Sequence, residues 1–585
     1  MTRVGSVLVA KRLFVSREDL AGFAFWAAAT SVLGSRWGLT ALVASVFLFA
    51  FSTPAAEPEE ALYVSQVAAA TTGDLAPDAE IVRAGRPLGI DEAVALSIQN
   101  NLEVEVERFA PMIAETDKDG AWGAYDPTIS ADMKYDVVKS PNTFSLNTAS
   151  ANRDRKKGGG VGVDQLIPYL GASLGLRYDA ASTSTRNTLQ RRDEQYDASF
   201  FLTAKVPLAR GLIWNDAWTN VKVAGLAYSS SREGFRAALM DTVQTTVDAY
   251  WNLVAARDQV GVAQKSLETA RALLDQTTTQ YEVGVISRVE VVEAEAGVAD
   301  REFDVIRNAN VYRNAQDQLI DFVLGRELSA MTELQFAPSE DPAAFESRSV
   351  NVAQAVAQAF QNRPELQQVS RDIDQEEVNL KFAKNQRLPR LDAEVRFGYV
   401  GVSGEGNVGV TDLTNPMGPP LPPASNIPFD QADDDFFTSD GSENLRVTGT
   451  FSIPFPNTTA RKRVVKSELE LRRARTRRAR LEQTIILEVR SSARTLLASA
   501  QGIEAAERRR LAAAEQLRAE RIRLEHGEST PFEVLQRESD LVEAESQKIT
   551  ALQTYRSAEV ALERAQGTIL DFHGVVLDVA TRPTR

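Results

Sequence analysis

The side chains that most often carry enzyme chemistry are scarce in this 585-residue chain. It has no cysteine and only two histidines, His526 and His573. Disulfides, thiolate nucleophiles and cysteine-ligated metals are therefore excluded, and a histidine metal site or a Ser-His-Asp triad has almost no material. The phosphate-binding pattern GxxxxGK(S/T) is also missing from the sequence, so the chain is not an ATP-driven component. We expect no catalytic residue, no metal site, no cofactor and hence no enzyme.

The charge balance argues against a nucleic-acid partner. Lys and Arg number 65 and Asp and Glu 80, which gives a formal net charge of −15, whereas phosphate binding needs a basic face. One basic run stands out, because ten of the residues from Arg461 to Arg480 are Lys or Arg. No aromatic residue interrupts this run, so a solvated helix surface is favoured over a nucleic-acid patch.

The amino-terminal segment has the pattern of an export signal. Basic residues among positions 1–36 precede an uncharged apolar run from Trp37 to Phe51 and then small residues, which predicts a signal peptide at 1–56. An acidic linker at 57–87 follows. The apolar run is shorter than the ~20 residues that a membrane-spanning helix needs, and the alternative is a single anchor helix over residues 20–51.

The chain contains two copies of one plan. The segment AVALSIQNNLEV from Ala93 returns as AVAQAFQNRPEL from Ala355, 262 residues later. Farther along, Gly284 matches Gly527 at a spacing of 243. The first copy is therefore the longer one, and the duplication determines the architecture.

Each copy is predicted to hold a short helix, a β section and a long helical hairpin, so the fold class is α+β. In the first copy, residues 88–326, we expect strands at 128–138 and 196–207, an extra hairpin at 161–180, and long helices at 215–281 and 287–326. In the second copy, residues 351–570, we expect strands at 391–402 and 444–454 around a long loop at 403–443, and long helices at 458–525 and 531–570. A linker at 327–350 joins the copies and a tail occupies 571–585. Whether the extra hairpin joins the other strands stays open.

The predicted strands alternate regularly between apolar and polar residues along most of their length. Ile129, Ala131 and Met133 interleave with Ser130 and Asp132, and the other strands follow the same rule. Period two over about ten residues fits a transmembrane β-barrel with lipid outside and water inside. The alternative is a soluble sandwich strand with one solvated face.

The predicted helices are too long for a compact domain. Apolar residues fall three or four apart along residues 235–274 and 481–503, which is typical of a coiled-coil seam. A helix over 215–281 would be about 100 Å long at 1.5 Å per residue. Four strands per chain cannot close a barrel, because about eight is the smallest number that does. Several copies must therefore share one barrel that continues as a helical conduit.

At this point the sequence resembles the TolC family of outer membrane channel proteins. The resemblance rests on the duplicated AVALSIQNN and NRPEL segments and on the hairpin patterns YEVGVISRVEVVEAEA and LEHGESTPFEVLQRES, and it covers roughly residues 88–570. It implies a homotrimer in the outer membrane lipid, with long coiled-coil hairpins and antiparallel strands that form a shared transmembrane barrel of twelve strands. It also implies a periplasmic tunnel that docks to a periplasmic adaptor (membrane fusion) protein and an inner-membrane transporter of the RND, ABC or MFS type, for efflux or type I secretion.

The resemblance also points to residues near the hairpin tips. Adaptors would dock at six residues around the two turns: Val283, Gly284, Val285, Gly527, Glu528 and Ser529. The periplasmic aperture would be lined six and nine positions after each glycine, by Glu290, Glu293, Glu533 and Gln536. Rings of carboxylates at a constriction favour cations, and Gln536 departs from the acidic pattern. The alternative is that these are solvated carboxylates at a helix end.

We therefore expect a passive conduit subunit of a tripartite export system, located in the outer membrane with a long periplasmic portion. The alternative is an exported periplasmic coiled-coil scaffold without a pore. The transported substrate cannot be inferred from these residues.

Overall fold

A computed structural model of the chain describes residues 85–141, 151–184, 192–329, 334–344, 348–406, 417–419, 432, 436 and 443–575. The predicted signal peptide, the alternative anchor helix and nearly all of the predicted acidic linker lie outside these residues, as does most of the predicted loop at 403–443. Among the described helices, none combines the length and the apolar composition that crossing a membrane requires.

Helices make up most of the described chain, and their positions follow the internal duplication. The helices are α1 Ile90–Asn100, α2 Leu102–Ala121, α3 Asp216–Glu282, α4 Arg288–Leu324, α5 Val352–Asn362, α6 Pro364–Gln386, α7 Thr458–Glu525, α8 Pro531–Gln566 and α9 Ile569–Phe572. Helix α5 begins at residue 352 and α1 at residue 90, a difference of 262, and α8 and α4 begin at 531 and 288, a difference of 243. The duplication predicted from the repeated motifs is therefore confirmed.

The short helix predicted in each copy is in fact a pair of helices, and the two copies break the pair by different means. Asn101 has an extended backbone, and its side chain accepts hydrogen bonds from the amides of Glu103 and Val104, which caps α2. Arg363 occupies the same place in the second copy and is extended because Pro364 follows it. The prediction of one helix was wrong because local capping overrides a continuous apolar pattern.

The middle part of each copy contributes strands to one main sheet. Among the described residues this sheet contains six antiparallel strands. The strands are β2 Thr128–Pro141, β3 Ala151–Leu166, β4 Ser173–Ser184, β5 Arg192–Pro207, β7 Arg390–Gly406 and β8 Glu443–Ser452. Their spatial order is β2-β3-β4-β5-β7-β8. The hairpin predicted at 161–180 is longer than expected, as β3 and β4, and it joins the sheet between β2 and β5.

The sheet has one apolar and one polar face. Met133 on the apolar face of β2 is 96% exposed. Leu445 and Val447, on the same face of β8, are also largely exposed. Ala432 and Phe436, from the predicted loop at 403–443, pack on Ala198 of the apolar face. A large exposed apolar surface on a sheet marks a partner or a lipid environment.

The segment between the copies is more ordered than a linker. Strand β6, Phe336–Pro338, lies inside the predicted linker at 327–350 and pairs in parallel with β1, Arg86–Leu88. The Tyr250 hydroxyl donates a hydrogen bond of 3.0 Å to the carbonyl of Leu88. The largest buried cluster surrounds this small sheet and joins it to α1, α3 and α4.

The second long hairpin ends earlier than predicted. Helix α8 stops at Gln566 rather than at residue 570, because Gly567 adopts a left-handed conformation with φ of 79°. The short helix α9 then extends into the predicted tail at 571–585.

Candidate aperture at the helical hairpin tips

The turn between α3 and α4 is closed by backbone hydrogen bonds around a glycine. Gly284 has φ of 79°, a conformation that strains residues with a side chain. Its amide donates to the carbonyl of Tyr281 at 2.9 Å, and the amide of Val285 donates to the carbonyl of Gln280 at 2.9 Å. This pair of bonds is the Schellman motif, which satisfies the last carbonyls of a helix.

The turn between α7 and α8 repeats the same geometry. Gly527 has φ of 75°. Its amide donates to the carbonyl of Leu524 at 3.0 Å, and the amide of Glu528 donates to the carbonyl of Arg523 at 2.8 Å. The two glycines matched in the sequence therefore make the same sharp turn.

Each returning helix begins with a hydroxyl residue followed three positions later by glutamate. The Ser287 hydroxyl donates to the Glu290 carboxylate at 3.2 Å, and the Thr530 hydroxyl accepts from the Glu533 amide at 3.4 Å. This is the sequence pattern of a capping box. The Glu290 carboxylate thus has a local role at the start of α4, and at the start of α8 the backbone amide of Glu533 has one.

The two remaining predicted aperture residues, Glu293 and Gln536, make no such contact at a helix start among the described residues. Glu293, Glu533 and Gln536 are exposed, whereas Glu290 is half-buried. Among the described residues, neither Glu293 nor Glu533 has an ion-pair partner in this chain. Their negative charge is therefore available to a passing ion or to a neighbouring copy.

The predicted docking residues lie at the two hairpin turns, and most of them are exposed. Val283 and Val285 are 70% and 71% exposed, although both are apolar. In the other tip Glu528 is exposed, while the Ser529 hydroxyl is tied to the Glu520 carboxylate at 2.6 Å.

The two tips are held side by side by contacts between α4 and α8. A side chain at Gly297 would approach the Leu535 side chain to 2.8 Å, so glycine permits the close packing of these helices. Below this contact, Leu273, Leu517 and Val534 form a buried cluster that joins α3, α7 and α8.

A buried carboxylate lies just above the tips, and the sequence analysis missed it. Glu538 of α8 is 3% exposed, and the Ser266 hydroxyl of α3 donates to its Oε1 at 3.4 Å. Its Oε2 has no hydrogen-bond partner among the residues that the structure describes. Burial raises the pKa of Glu538, while the charges of Arg301 and Arg521 and the Ser266 hydroxyl act in the opposite direction. The signal was present in the spacing, because Glu538 falls four residues after Val534 and three before Leu541, on the apolar seam.

The polar face of the sheet carries charges that bond to one another across strands. Arg177 of β4 donates to Asp179 of the same strand and to Asp132 of β2. Phe201 is the one large aromatic residue in this part of the polar face, and the Arg396 guanidinium covers its ring, 3.7 Å from the centroid. The face is therefore suited to contact with water.

Comparisons with known proteins agree with this architecture. The chain matches the outer membrane efflux protein family over residues 143–325 and 355–568. No curated protein matches it.

Solved structures of channels share the fold. The chain resembles the CmeC outer membrane channel of Campylobacter jejuni with a TM-score of 0.56 and 14% identity, over 82% of this chain and 86% of that chain. It resembles the outer membrane protein VceC of Vibrio cholerae with a TM-score of 0.57 and 13% identity, over 82% of this chain and 96% of that chain. For the open state of the MtrE outer membrane channel of Neisseria gonorrhoeae, the TM-score is 0.54 and the identity 15%, over 87% of this chain and 99% of that chain. The resemblance noted in the sequence is confirmed, and because the family match spans more than half of the chain and both copies, the chain belongs to the outer membrane efflux protein family.

Proposed function

We propose that the chain is one subunit of a homotrimeric outer membrane channel in a tripartite export system. Three copies would share one barrel in the membrane and one helical tunnel in the periplasm. The observation that carries the proposal is the six-stranded sheet. It has one apolar face, one polar face and, among the described residues, two edges without a neighbouring strand, and its strands β5 and β8 lead into the long helical hairpins.

In the described part of the chain, the sheet of a single copy has two edges without a neighbouring strand. Strands β2 and β8 are its edges within the described residues, and every residue of β8 is exposed. Open strand edges are not tolerated in lipid, because backbone groups there find no water. Pairing of β8 in one copy with β2 in the next satisfies both edges and closes the cylinder.

The helices supply the periplasmic part of the conduit. Helices α3 and α7 have 67 and 68 residues, which corresponds to about 100 Å each at 1.5 Å per residue. Their partners α4 and α8 return along them. Four long helices from each copy would line a tunnel that ends at the hairpin tips.

The tips would act as both the aperture and the docking site. Glu290, Glu293 and Glu533 would contribute three carboxylates per copy to a cation-favouring constriction, with Gln536 as an uncharged member. The exposed Val283 and Val285 would contact a periplasmic adaptor protein, which links the channel to an inner-membrane transporter of the RND, ABC or MFS type. Transport energy would come from that transporter.

Purification in detergent followed by recording in planar bilayers tests this proposal. We expect the mass of a homotrimer by light scattering and ion conductance across the bilayer. A water-soluble elongated monomer that never conducts would overturn the proposal and favour the periplasmic scaffold. As a control, heating the same preparation should convert the trimer to monomer and abolish the conductance in parallel. Conductance that persists after the trimer band has disappeared would come from a contaminating porin.

A further inference from the structure

We propose that the shared barrel contains eighteen strands, six from each of three copies, rather than the twelve that the family resemblance implies. This inference rests on the proposed function, because it concerns the width of the same barrel. The extra strands are β3 and β4, which have no counterpart among the described residues of the second copy.

The hairpin is an integral part of the sheet. Strand β3 pairs with β2 from Thr128 through Val138, and β4 pairs with β5 from Lys205 back to Glu194. In this sheet β2 and β5 are not neighbours. If the hairpin left the sheet while β2 and β5 kept their places, two additional edges would be unpaired, which lipid does not tolerate.

Both faces of the sheet continue across the hairpin without a change of phase. Residues that pair directly point to the same face, so each row across the six strands can be followed from β2 to β8. One such row is apolar throughout: Ile129, Val163, Leu176, Leu202, Phe397 and Leu445. The adjacent row has no apolar side chain: Thr128, Asp164, Gly175, Thr203, Arg396 and Arg446. In these two rows, toward the helix end of the sheet, β3 and β4 present the same lipid-type and water-type faces as the other four strands. Nearer the loops, β3 places Lys157 and Arg155 on the apolar side, opposite Tyr135 and Val137.

Glycines on the polar face of β3 allow its neighbours to interact over it. Gly158, Gly160 and Gly162 alternate along this face. Arg177 of β4 passes over Gly160 to reach Asp132 of β2. The polar face is therefore continuous from β2 to β4, as a water-filled lumen requires.

The turn of the hairpin is anchored where the sheet meets the helices. The Tyr169 ring lies 4.5 Å from the Trp218 ring of α3, and Trp218 in turn lies 6.1 Å from Trp122. Tyr125 and Leu166 pack in the same cluster. Trp and Tyr are enriched at membrane–water boundaries, so the hairpin begins at the level where the other strands begin.

The number of strands also satisfies closure. Five successive antiparallel pairings separate β2 from β8, so these edges run in opposite directions and can pair between copies as antiparallel neighbours. Barrel diameter grows roughly linearly with strand number at a given tilt. Eighteen strands would make the barrel about one and a half times as wide as twelve.

Cysteine labelling tests the inference, since the chain has no cysteine of its own. Val447→Cys and Thr448→Cys, neighbours on β8, report the two faces of the sheet in general. Val161→Cys and Ala181→Cys report the apolar and polar faces of the hairpin. In proteoliposomes we expect a charged maleimide to label Thr448→Cys and Ala181→Cys, and a lipid-soluble maleimide to label Val447→Cys and Val161→Cys.

The pattern of labelling separates the two hypotheses. If the β8 pair shows no difference between the reagents, the channel proposal itself fails. If the β8 pair differs while both hairpin variants react with the charged reagent, the hairpin lies outside the membrane and the eighteen-strand barrel is wrong.

Deletion of residues 143–190 gives an independent measurement. It joins β2 to β5 on the loop side and leaves the four-strand arrangement of twelve strands per trimer. We expect polymer-exclusion recordings to show an outer mouth about one and a half times wider in the full chain than in the deletion variant. An equal cutoff in two assembled trimers would overturn the inference, and if the deletion variant does not assemble, the labelling still decides.

Discussion

Arg177 of β4 and Asp132 of β2 are joined by a hydrogen bond that crosses the intervening strand β3 above Gly160. A Cβ atom at position 160 would collide with the Asp179 carboxylate and approach the Arg177 guanidinium to 2.7 Å. We therefore expect Gly160→Val to displace both side chains and to destabilise the folded sheet by about 1–3 kcal/mol, the usual cost of overpacking. Thermal denaturation of the detergent-solubilised trimer, followed by circular dichroism, measures the loss.

Gly449→Val is the matched control for this substitution. Gly449 lies on β8 of the same sheet, and within the described part of this chain no atom stands within 4 Å of its added Cβ. We expect a change in melting temperature several-fold smaller than for Gly160→Val. Equal shifts would mean that the Arg177 crossing has no special role.

The apolar face of the sheet predicts a strong asymmetry between neighbouring residues on β2. Met133 is on that face and 96% exposed, and Lys134 is on the polar face. If the apolar face meets lipid, Met133→Arg should destabilise the assembled barrel by about 2–4 kcal/mol, whereas Lys134→Arg should change its stability little. The fraction of trimer that survives in increasing denaturant in lipid vesicles measures both. Equal tolerance of the two arginines would contradict a lipid-facing role.

Helices and strands with long periodic patterns were predictable from the sequence. Helix breaks and strand pairings that depend on a few residues were not. Helix α7 runs from Thr458 to Glu525, where the seam pattern placed it, because dozens of residues repeat the same signal. The break at Asn101 and the pairing of β6 with β1 depend on a few hydrogen bonds, and short segments carry no periodicity. The membership of β3 and β4 in the sheet was undecidable because alternation shows two faces but not which strand is the neighbour.

The motif NRPEL carries part of the family resemblance, and the structure shows which contacts its residues make. Arg363 is 4% exposed and forms two hydrogen bonds to the Glu488 carboxylate of α7, at 2.7 and 3.0 Å. Glu365 accepts from Arg564 at 2.8 Å. Burial alone would raise the pKa of Glu365, but Arg564 and Arg363 lower it below its usual value. The motif therefore fastens α6 to the long helices.

Removal of the Arg363 side-chain charge should be costly. Arg363→Met would leave Glu488 without its buried partner and Glu365 with Arg564 alone, and a broken buried pair costs about 3–5 kcal/mol. Because the Glu488 side chain is still 43% exposed, we expect a loss of about 2–3 kcal/mol, below that range. Arg518→Met serves as the control, since Arg518 and Glu515 form an exposed pair on the surface of α7. Chemical denaturation curves of both variants should differ clearly, and equal midpoints would contradict a structural role for the motif.

The aperture proposal predicts a change in ion selectivity without a change in folding. Glutamine can replace glutamate in a capping box, so the triple variant Glu290→Gln, Glu293→Gln and Glu533→Gln should keep both helix starts intact. With nine carboxylates removed from a trimer, the ratio of cation to anion permeability should fall several-fold. Reversal potentials in a salt gradient measure that ratio. Glu268→Gln, an exposed position on α3 about 24 Å along the helix from Gly284 at 1.5 Å per residue, should leave the ratio unchanged. An unaltered ratio in the triple variant would contradict a role of these carboxylates in the aperture.

Glu538 makes the stability of the tips depend on pH. Burial raises its pKa above the ordinary value of 4.5, against the opposing influence of Arg301, Arg521 and Ser266. The folded chain therefore binds a proton more tightly than the unfolded chain does. The stability that Glu538 contributes is fully present below about pH 4.5 and is lost as the pH rises through the folded pKa.

Glu538→Gln should remove this dependence, because the amide stays neutral at every pH and can still bond to the Ser266 hydroxyl. We expect the variant to exceed the wild type in stability at pH 8 and to match it near pH 4. Glu295→Gln is the control, since Glu295 occupies the equivalent place in the first copy and is exposed. Hydrogen exchange of residues 520–545 at both pH values measures the local opening. Exchange that is equally fast in wild type and Glu538→Gln at pH 8 would contradict a destabilising effect of the buried Glu538 charge.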